Sequence, residues 1–375
     1  MAESVLNNQV YELLGVKPVI NAGGTHTTHG GSRMKPEVIE AMAMASRSFV
    51  PVVELNRKAG EYIAKVTGAE TGMVTSGAAS GITLATAACM AGNDPAKIRR
   101  LPETSGMKNE IVMQMHHYGV YGNTHSFAGA RVVLAGNAVG CIEEEVEAAI
   151  TEKTAAVAYL FAPGLRQTGI SLQKTVEVAH RHSVPVMVDA AAMLPPRENL
   201  RRYIGEGADL VIFSGGKFIG GPQATGLLFG KKDLVEAALV NASPHHAIGR
   251  PQKVAREEIV GLATALRVYM DTDEEALLAG LRGKAEYVAS RIRSADGVRV
   301  EVKHDYFRYF VPTAVIELRP GRDGPTVAEI ARRLHEGSPR IYVASSGDSL
   351  NVNTFNLQDG EEEIVAKRLI EELYR

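Results

Sequence analysis

The stretch VIFSGGKFIGGPQATGLLFG, residues 211–230, joins two apolar, β-type runs through a loop that carries one lysine, Lys217, between two glycine pairs. A lysine that only needs solvation requires no such setting, because its ammonium group reaches water from almost any loop. At the buried end of a strand the amine would lose hydration and its pKa would fall, which makes it nucleophilic near neutral pH. The stretch therefore predicts a strand, a glycine loop and a strand, with Lys217 as a reactive amine or, alternatively, an ordinary turn lysine.

The chain on either side of this stretch alternates short apolar or β-branched runs with amphipathic helical segments. This alternation is typical of an α/β domain with a mostly parallel, buried sheet. We expect its seven strands at residues 72–76, 110–115, 130–135, 154–161, 184–190, 209–214 and 225–230. After residues 245–255 helices dominate, with a few strands between them. We therefore predict an N-terminal segment (residues 1–45), a large α/β domain (46–248) and a small C-terminal α+β domain (249–375).

The composition argues against several classes of function. The 41 basic and 43 acidic residues nearly cancel and form no basic block, so a nucleic-acid partner is not expected. No apolar run approaches the roughly eighteen residues of a membrane helix, and the N-terminus lacks a secretory signal, so we expect a cytoplasmic protein with no membrane partner. Cys89 and Cys141 lack CxxC or CxxH spacing, which predicts buried thiols rather than a zinc site or a disulfide.

A second stretch of interest is TSGAASG, residues 75–81, which follows the apolar run GMVTS and precedes a helical segment. Small residues let successive backbone N–H groups approach an anion, and a helix N-terminus adds positive partial charge. The spacing matches neither GxxxxGK[ST] nor GxGxxG. The stretch therefore predicts either a phosphate-binding loop or a tight helix N-cap with close helix packing.

Asp189 ends the apolar run VPVMVDA, residues 184–190. A carboxylate in that position has lost much of its water and needs a cationic partner or hydrogen-bond donors to remain ionised. A helix N-cap or a metal ligand is the alternative, but the following AAMLPP offers no second carboxylate or histidine at ligand spacing. We therefore expect a positively charged neighbour and no metal.

The phosphate loop, Asp189 and Lys217 each follow a strand end, the position at which open α/β sheets bind their ligands. Pyridoxal 5'-phosphate requires this combination: an anion site, an acid that keeps the pyridine nitrogen protonated, and an amine for the aldehyde. The combination predicts that Lys217 holds this cofactor as a Schiff base and that Asp189 contacts the ring nitrogen. The glycines beside Lys217 are expected to leave room for the flat ring.

Four segments of the chain resemble the fold-type I pyridoxal-phosphate enzymes: INAGGTHTTHGGSRMKPEVIEAM, TSGAASGITLATAACMAG, VPVMVDAAAMLPP and, most specifically, FSGGKFIGGPQATGLL. Within that class the chain is similar to the selenocysteine synthase-like group, which comprises bacterial L-seryl-tRNA selenium transferase and shorter relatives such as D-glucosaminate-6-phosphate ammonia-lyase. The resemblance spans roughly residues 15–265, and the C-terminal third matches only in general layout.

The resemblance implies further roles around the cofactor. It implies that the phosphate is bound by Ser76, Gly77, Ala78 and Ser214. It also implies that His117, at the end of EIVMQMHH, stacks over the pyridine ring and later moves a proton. A shift of one residue in the strand register would put His116 there instead, and a purely structural histidine is the alternative.

Several basic residues are candidates for substrate binding. His26 and His29 lie in NAGGTHTTHGG, which resembles the family's N-terminal segment that reaches an active site in the dimer. Arg166 in APGLRQTG, and Arg250 with Lys253 in HHAIGRPQK, offer positive charge to a carboxylate or phosphate. A solvated surface role is the alternative for each. We expect a homodimer or a larger homo-oligomer.

Two departures from the family bear on the substrate. Bacterial selenium transferase has an additional N-terminal tRNA-binding part, whereas this chain begins close to INAGGT and is nearly neutral, so we expect a small-molecule substrate instead of tRNA. Where many fold-type I enzymes have a carboxylate-binding arginine near the C-terminus, this chain has Asn351, Asn353 and Asn356. Amide side chains there favour a sugar acid or another hydroxylated substrate.

The resulting prediction is a pyridoxal-phosphate-dependent lyase that acts on a small amino acid or amino sugar acid. Lys217 would remove the α-proton, the β-hydroxyl would leave as water with His117 or His26 as acid, and ammonia and a 2-oxo acid would form. One alternative is another reaction at the α-carbon, by a racemase, an aldolase, a transaminase or a selenium or sulfur transferase. The other is a non-catalytic relative that binds the cofactor.

Overall fold

The computed structural model describes residues 9–294 and 297–375, which divide into two compact units. The larger unit is Met34–Asp271, and the smaller unit joins the chain up to Arg33 with Thr272–Arg375. The α-helices of the described chain are α1 (Gln9–Leu13), α2 (Pro36–Ala45), α3 (Val52–Thr67), α4 (Gly77–Ala91), α5 (Pro95–Arg100), α6 (Glu143–Ala149), α7 (Leu172–Arg181), α8 (Asn199–Gly205), α9 (Lys232–Asn241), α10 (Arg256–Asp271), α11 (Glu274–Arg291), α12 (Val327–Glu336) and α13 (Glu361–Leu373). The strands are β1 (Ile20–Asn21), β2 (Thr71–Thr75), β3 (Glu110–Gln114), β4 (Arg131–Ala135), β5 (Thr154–Leu160), β6 (Val186–Asp189), β7 (Leu210–Ser214), β8 (Gly226–Gly230), β9 (Val298–Lys303), β10 (Thr313–Leu318), β11 (Ile341–Tyr342), β12 (Ala344–Ser346) and β13 (Ser349–Asn353).

A seven-stranded sheet in the order β2-β8-β7-β6-β5-β3-β4 forms the centre of the larger unit. Strand β8 runs antiparallel to β2 and β7, and the other neighbouring pairs are parallel. These are the seven strands predicted from the apolar runs, with ends that shift by one or two residues. The predicted α/β domain with a mostly parallel sheet is therefore confirmed.

Helix α4 is apolar on nearly every side because it lies inside the larger unit, against one face of the sheet. Its Ile82 shares a hydrophobic core with Met187 on β6 and Ile212 on β7. Full burial of a side chain of this size stabilises the fold by about 1.5–3 kcal/mol. Side chains alternate between the two faces of a strand, so Asp189 and Ser214, two residues beyond Met187 and Ile212, lie on the face that α4 covers.

The smaller unit contains a four-stranded antiparallel sheet in the order β12-β13-β10-β9 and a core of its own. Strand β1 belongs to this unit, because it pairs in parallel with β11. Buried Asn356 fixes the loop that follows β1: its Nδ2 donates to the carbonyls of Gly24 and Gly31, both at 3.0 Å, and its Oδ1 accepts from the Arg33 N–H at 3.1 Å. The N-terminal glycine-rich loop is thus held by a C-terminal side chain.

The division between the units differs from the predicted boundaries after residues 45 and 248. Helices α2 and α10 lie together in the larger unit, where Arg256 Nε donates to the Ala45 carbonyl at 3.1 Å. A Cβ on Gly261 of α10 would lie 2.8 Å from Met42 of α2, so the two helices touch closely. The boundaries follow pairings between residues far apart in sequence, which a change of composition along the chain does not reveal.

No helix within the described part of the chain has the length and apolar character of a membrane span. Among residues 9–294 and 297–375, no three His, Cys, Asp or Glu side chains are grouped as they would be around a metal ion. Cys141 is buried, whereas Cys89 is half-buried against the core, and both are free thiols. Burial raises the pKa of Cys89 to about 12 and that of Cys141 to about 11, so both stay protonated at neutral pH.

Candidate active site

A cavity of about 310 Å³ lies at the carboxyl ends of β3, β5, β6 and β7 in the larger unit. Its wall is mainly apolar and includes Ile82, Met113, Met187 and Ile212. The larger polar side chains in the wall are His116, His117, Tyr121, His125, Tyr159 and Asp189. Parallel α/β sheets bind their ligands at this edge, so the cavity is the candidate active site.

Asp189, the last residue of β6, lies in the cavity wall. Its Oδ1 accepts a hydrogen bond from the Ala191 N–H at 3.0 Å, and its Oδ2 accepts none from the described residues. Burial raises the pKa of Asp189, while the Ala191 bond and the positive charge of Lys217 oppose that rise. The carboxyl group therefore has one oxygen available for a cationic ligand.

Lys217 lies in the loop between β7 and β8, and its amine makes no hydrogen bond or ion pair with any residue that the structure describes. Burial lowers the pKa of Lys217, and the negative charge of Asp189 opposes this effect. Because the two charges act on each other, the structure brings together the two residues predicted to hold the cofactor ring. A lysine with a lowered pKa and no partner is suited to act as a nucleophile or base.

The two glycines before Lys217 are required by the fold of the loop. A Cβ on Gly215 would lie 2.3 Å from Thr225 Oγ1, and a Cβ on Gly216 would lie 2.5 Å from the Cα of Gln223. The loop folds back on itself at these points, and only glycine fits. That the glycines also leave room for a flat ring stays a prediction.

The predicted phosphate loop connects β2 to α4. Gly77 opens α4 with φ = +81°, in the left-handed region that favours glycine. Ser76 occupies the N-cap position, but its hydroxyl makes no capping hydrogen bond. The 15-residue helix directs the positive end of its dipole at this loop. The loop therefore offers backbone N–H groups, a free hydroxyl and positive partial charge to an anion.

The pairing of β2, β8 and β7 places Ser214 near the predicted phosphate loop. Thr75 on β2 pairs with Gly226 on β8, which in turn pairs with Ser214 on β7. A Cβ on Gly226 would lie 2.7 Å from the backbone nitrogen of Ala78, so only glycine lets β8 pass so close to the start of α4. Ser214 therefore lies at the same edge of the sheet as Ser76 and Ala78.

Both candidate ring-stacking histidines line the cavity. His117 is 1% exposed, its Nε2 lies 2.7 Å from Gln167 Oε1, and its ring contacts that of Tyr159 with centroids 4.3 Å apart. Burial lowers the pKa of His117 to about 4, and it also lowers the pKa of His116. Both ring nitrogens of His116 are buried without a partner in the described structure. The structure thus places both rings in the wall, with only His117 fixed by a hydrogen bond.

Sequence reasoning missed three polar residues near the cavity. Gln167 holds His117, and His125 lines the wall while its Nδ1 lies 2.7 Å from Thr86 Oγ1. Gln252 accepts a hydrogen bond from Ser80, in the first turn of α4, at 2.7 Å. The threonines in the otherwise apolar helix ITLATAACMA are the signal that could have found His125, since buried hydroxyls need partners.

The predicted substrate-binding arginines lie in the larger unit. Arg166 is exposed in a loop whose Ala162 and Leu165 line the cavity. Arg250 is half-buried and precedes Gln252, which is bonded to α4. Neither guanidinium has a hydrogen-bond or ion-pair partner among residues 9–294 and 297–375. Both are available to an anionic group of a ligand.

The predicted histidines His26 and His29 lie in the smaller unit, where both contact Tyr342. His26 Nδ1 forms a short hydrogen bond with the Tyr342 hydroxyl, and the His29 ring stacks on the Tyr342 ring with centroids 3.7 Å apart. The Asn356 side-chain amide is hydrogen-bonded to backbone groups of the same loop, as described above. Its structural role replaces the expectation that its amide favours a hydroxylated substrate.

Comparisons with known proteins identify the family of the chain. The family model of L-seryl-tRNA selenium transferase matches residues 19–282. A 5'-C-glycyluridine monooxygenase-decarboxylase from Streptomyces sp is 34% identical over 374 residues, covering 97% of this chain and 91% of that protein. A D-glucosaminate-6-phosphate ammonia lyase from Salmonella typhimurium is 33% identical over 372 residues, covering 96% of this chain and 97% of that protein.

A solved structure supports the same relationship. The structure of D-glucosaminate-6-phosphate ammonia-lyase superposes with a TM-score of 0.85 at 30% sequence identity, covering 98% of this chain and 99% of that chain. The predicted fold, that of the fold-type I pyridoxal-phosphate enzymes, and the predicted resemblance to the selenocysteine synthase-like group are both confirmed.

Proposed function

The chain belongs to the L-seryl-tRNA selenium transferase family, and we propose from this membership and from the cavity that it is a pyridoxal 5'-phosphate-dependent lyase. Its proposed substrate is a hydroxylated amino acid or amino sugar acid, from which it removes water and ammonia to give a 2-oxo acid. The observation that carries the proposal is the pair formed by the unpartnered Lys217 amine and the half-partnered Asp189 carboxyl group.

The residues of the site fit each functional group of this cofactor. The Lys217 amine would bond the aldehyde, and Asp189 Oδ2 would accept from the ring nitrogen. The phosphate would be held by Ser76, Gly77, Ala78 and Ser214. When bound, the cofactor withdraws electrons from the α-carbon of the substrate, which makes the α-proton acidic.

Lys217 is proposed as the base that removes the α-proton once the substrate amine has replaced it on the cofactor aldehyde and left its own amine free. Its lowered pKa provides the neutral amine that this step requires. As the Cα–H bond breaks, the amine becomes an ammonium group, which can deliver its proton to the β-hydroxyl as the Cβ–O bond breaks. The β-hydroxyl leaves as water, the enamine that remains tautomerises to an imine, and a second water hydrolyses this imine to ammonia and the 2-oxo acid. Lys217 therefore both takes up the α-proton and supplies the proton that the leaving hydroxyl needs.

His117 is proposed to face the cofactor ring and to fix its plane. At neutral pH it is uncharged, because burial lowers its pKa to about 4, and its Nε2 is engaged by Gln167. These contacts suit a rigid positioning residue better than an acid. We therefore assign protonation of the leaving hydroxyl to Lys217 rather than to His117 or His26, with His116 as the alternative ring-facing residue.

Arg166 and Arg250 are proposed to bind the carboxylate or phosphate of the substrate, since both lack an internal partner. His26 and His29 remain proposed contributors to substrate binding from the N-terminal segment.

A homodimer or larger homo-oligomer is proposed to cover the cavity, whose wall includes Val120 and Tyr121. These side chains are 85% and 59% exposed, which suits a face that a second copy covers. A small-molecule substrate is proposed, and no nucleic acid.

Oxidative decarboxylation is the second candidate. The relative from Streptomyces is named as a monooxygenase-decarboxylase and is as similar to this chain as the ammonia lyase is. Both relatives are named for compounds that carry an amino group on a sugar or nucleoside skeleton. Oxygen consumption and CO₂ release during turnover would identify the oxidative reaction, whereas ammonia and 2-oxo acid formed without oxygen identify the lyase.

Borohydride reduction tests the proposal directly. Protein purified with pyridoxal 5'-phosphate should show a visible absorbance band, and reduction should fix a pyridoxyl group on the peptide that contains Lys217. Lys217→Ala should lose both the band and the label, while Lys65→Ala, an exposed lysine of the same unit, should keep both. A wild-type protein without label at Lys217 would overturn the proposal.

A further inference from the structure

His125 lies in the cavity wall, and the reaction proposed above gives it no role. It belongs to the 3-10 helix Gly122–Ala128 and is 4% exposed. Two threonines of α4 contact this segment. Thr83 Oγ1 shares its proton between the Ala79 carbonyl at 3.2 Å and the Thr124 carbonyl at 3.3 Å, and Thr86 Oγ1 lies 2.7 Å from His125 Nδ1. The imidazole is therefore fixed against α4 and not mobile in the cavity.

The hydroxyl of Thr86 indicates which nitrogen of His125 carries the proton. It has one proton, which it donates to the Ile82 carbonyl at 2.8 Å, so it acts as an acceptor towards the imidazole. Nδ1 of His125 must then be the protonated nitrogen, and Nε2 keeps a lone pair. Burial lowers the pKa of His125 to about 4, so the ring stays neutral at neutral pH.

Nε2 of His125 is left for a ligand. It has no hydrogen-bond partner within the described structure, and the residue lines the cavity. It also differs from the nitrogens of His116 and from His117 Nδ1, which are sealed from solvent without a partner. A hydrogen-bond donor on a ligand can therefore reach Nε2 of His125 from the cavity.

We propose that His125 is a further substrate-binding residue, which presents Nε2 as a fixed hydrogen-bond acceptor to the β-hydroxyl group of the substrate. This role rests on the proposed function, because it assumes that a hydroxylated amino acid enters the cavity. An unprotonated imidazole nitrogen accepts from an O–H group but not from a carboxylate or phosphate, which carry no proton to donate. His125 therefore favours substrates that have a hydroxyl group over deoxy analogues.

The tautomer of His125 is the first test, and it needs neither cofactor nor turnover. In protein labelled with ¹⁵N-histidine, two-bond ¹H–¹⁵N spectra distinguish the two neutral tautomers, and His125→Phe assigns the signal. We expect Nδ1–H in the wild type at pH 7 and a mixture of tautomers in Thr86→Val, which removes the hydroxyl. An Nε2–H tautomer in the wild type would overturn the role of Nε2 as an acceptor.

Substrate selectivity is the second test, with D-glucosaminate 6-phosphate as substrate and its 3-deoxy analogue as competitive inhibitor. His125→Phe should raise KM about five- to tenfold, the value of one neutral hydrogen bond, and leave the Ki of the analogue within about twofold. His125→Gln, which places a carbonyl oxygen near the same position, should restore part of the affinity. The surface variant His182→Phe, whose side chain pairs with Glu147, is the matched control.

The two results separate this role from the proposed function. If KM and Ki change together, or neither changes, His125 does not recognise the hydroxyl group even though the enzyme is a lyase. If no pyridoxyl label forms on Lys217, the proposed function fails, while the tautomer spectrum still reports whether Nε2 is an acceptor.

Discussion

Asp189 and Lys217 act on each other's ionisation at one edge of the sheet of the larger unit. The carboxylate raises the pKa of the lysine against the effect of burial, and the ammonium lowers the pKa of the aspartate against the same effect. Each group is thus partly stabilised in its charged form by the other. A cofactor that forms a bond with the Lys217 amine changes this interaction, so it must itself present a positively charged group to Asp189.

Asp189→Asn is expected to lower the pKa of Lys217 further, because the charge that raises it is removed. More of the amine is then neutral at pH 8, and Lys217 in cofactor-free protein should react faster with acetic anhydride, as measured by mass spectrometry of its peptide. Asp189→Glu, which keeps the charge, should stay closer to the wild type. Equal rates in all three proteins would show that the two groups do not interact.

In the holoenzyme, Asp189→Asn should reduce kcat by about 100-fold or more.

Gly226→Ala is expected to weaken phosphate binding. The new Cβ would meet the backbone of Gly77 and Ala78 at 2.6–2.7 Å, so β8 or the start of α4 must move. We expect a loss of about 1–3 kcal/mol in the free energy of unfolding and an approximately tenfold weaker affinity for pyridoxal 5'-phosphate. Gly205→Ala on α8, where a Cβ meets nothing within 4 Å, is the matched control. Unchanged cofactor affinity in Gly226→Ala would contradict the assigned phosphate site.

Acid is expected to destabilise the larger unit through its buried histidines. His117 and His125 have pKa values lowered from 6.5 to about 4, so the unfolded chain binds their protons first as the pH falls. The stability that these two neutral histidines contribute is fully present above pH 6.5 and is lost as the pH falls from 6.5 to 4. Each histidine should account for about 2.5 kcal/mol of the loss in unfolding free energy between pH 7 and pH 4.5.

Urea unfolding at these two pH values measures this effect. His125→Phe cannot take up the proton, so its unfolding free energy should fall less between pH 7 and 4.5 than that of the wild type. The variant His246→Phe, at an exposed histidine of the same unit, should follow the wild type. The same decrease in His125→Phe and wild type would show that His125 is not buried in neutral form.

Arg166→Met is expected to raise KM for a phosphorylated amino sugar acid about tenfold and to change kcat little. Its guanidinium has no partner in the described chain, so the replacement breaks no internal contact. Arg250→Met tests the other proposed anion site in the same assay. A KM that stays at the wild-type value in both variants would assign the substrate anion to other residues.

The strands and the two reactive residues could be predicted because their signals are local. An apolar run that ends in a polar residue marks a buried strand end; Asp189 ends one such run, and Lys217 lies three residues after Ser214, which ends another. The parallel order of the strands then brings these ends to one edge. The sequence pattern was sufficient for this part of the site because no contact between distant segments had to be known.

The remaining parts depend on contacts between distant residues. His125 enters the cavity wall because Thr83 and Thr86, some forty positions earlier, hold its 3-10 helix. The extent of the units depends in the same way on the packing of α2 against α10 and on the pairing of β1 with β11. A pattern of hydrophobic residues predicts an element but not the element against which it packs.

The parallel pairing of Ile20–Asn21 with Ile341–Tyr342 affects the order in which the protein can fold during synthesis. Residues 34–271 of the larger unit can leave the ribosome and fold while the partner of β1 has not yet been translated. Strand β1 therefore stays unpaired until residues 341 and 342 have been synthesised. A chain that terminates prematurely before residue 341 would expose that strand to proteases and to other nascent chains.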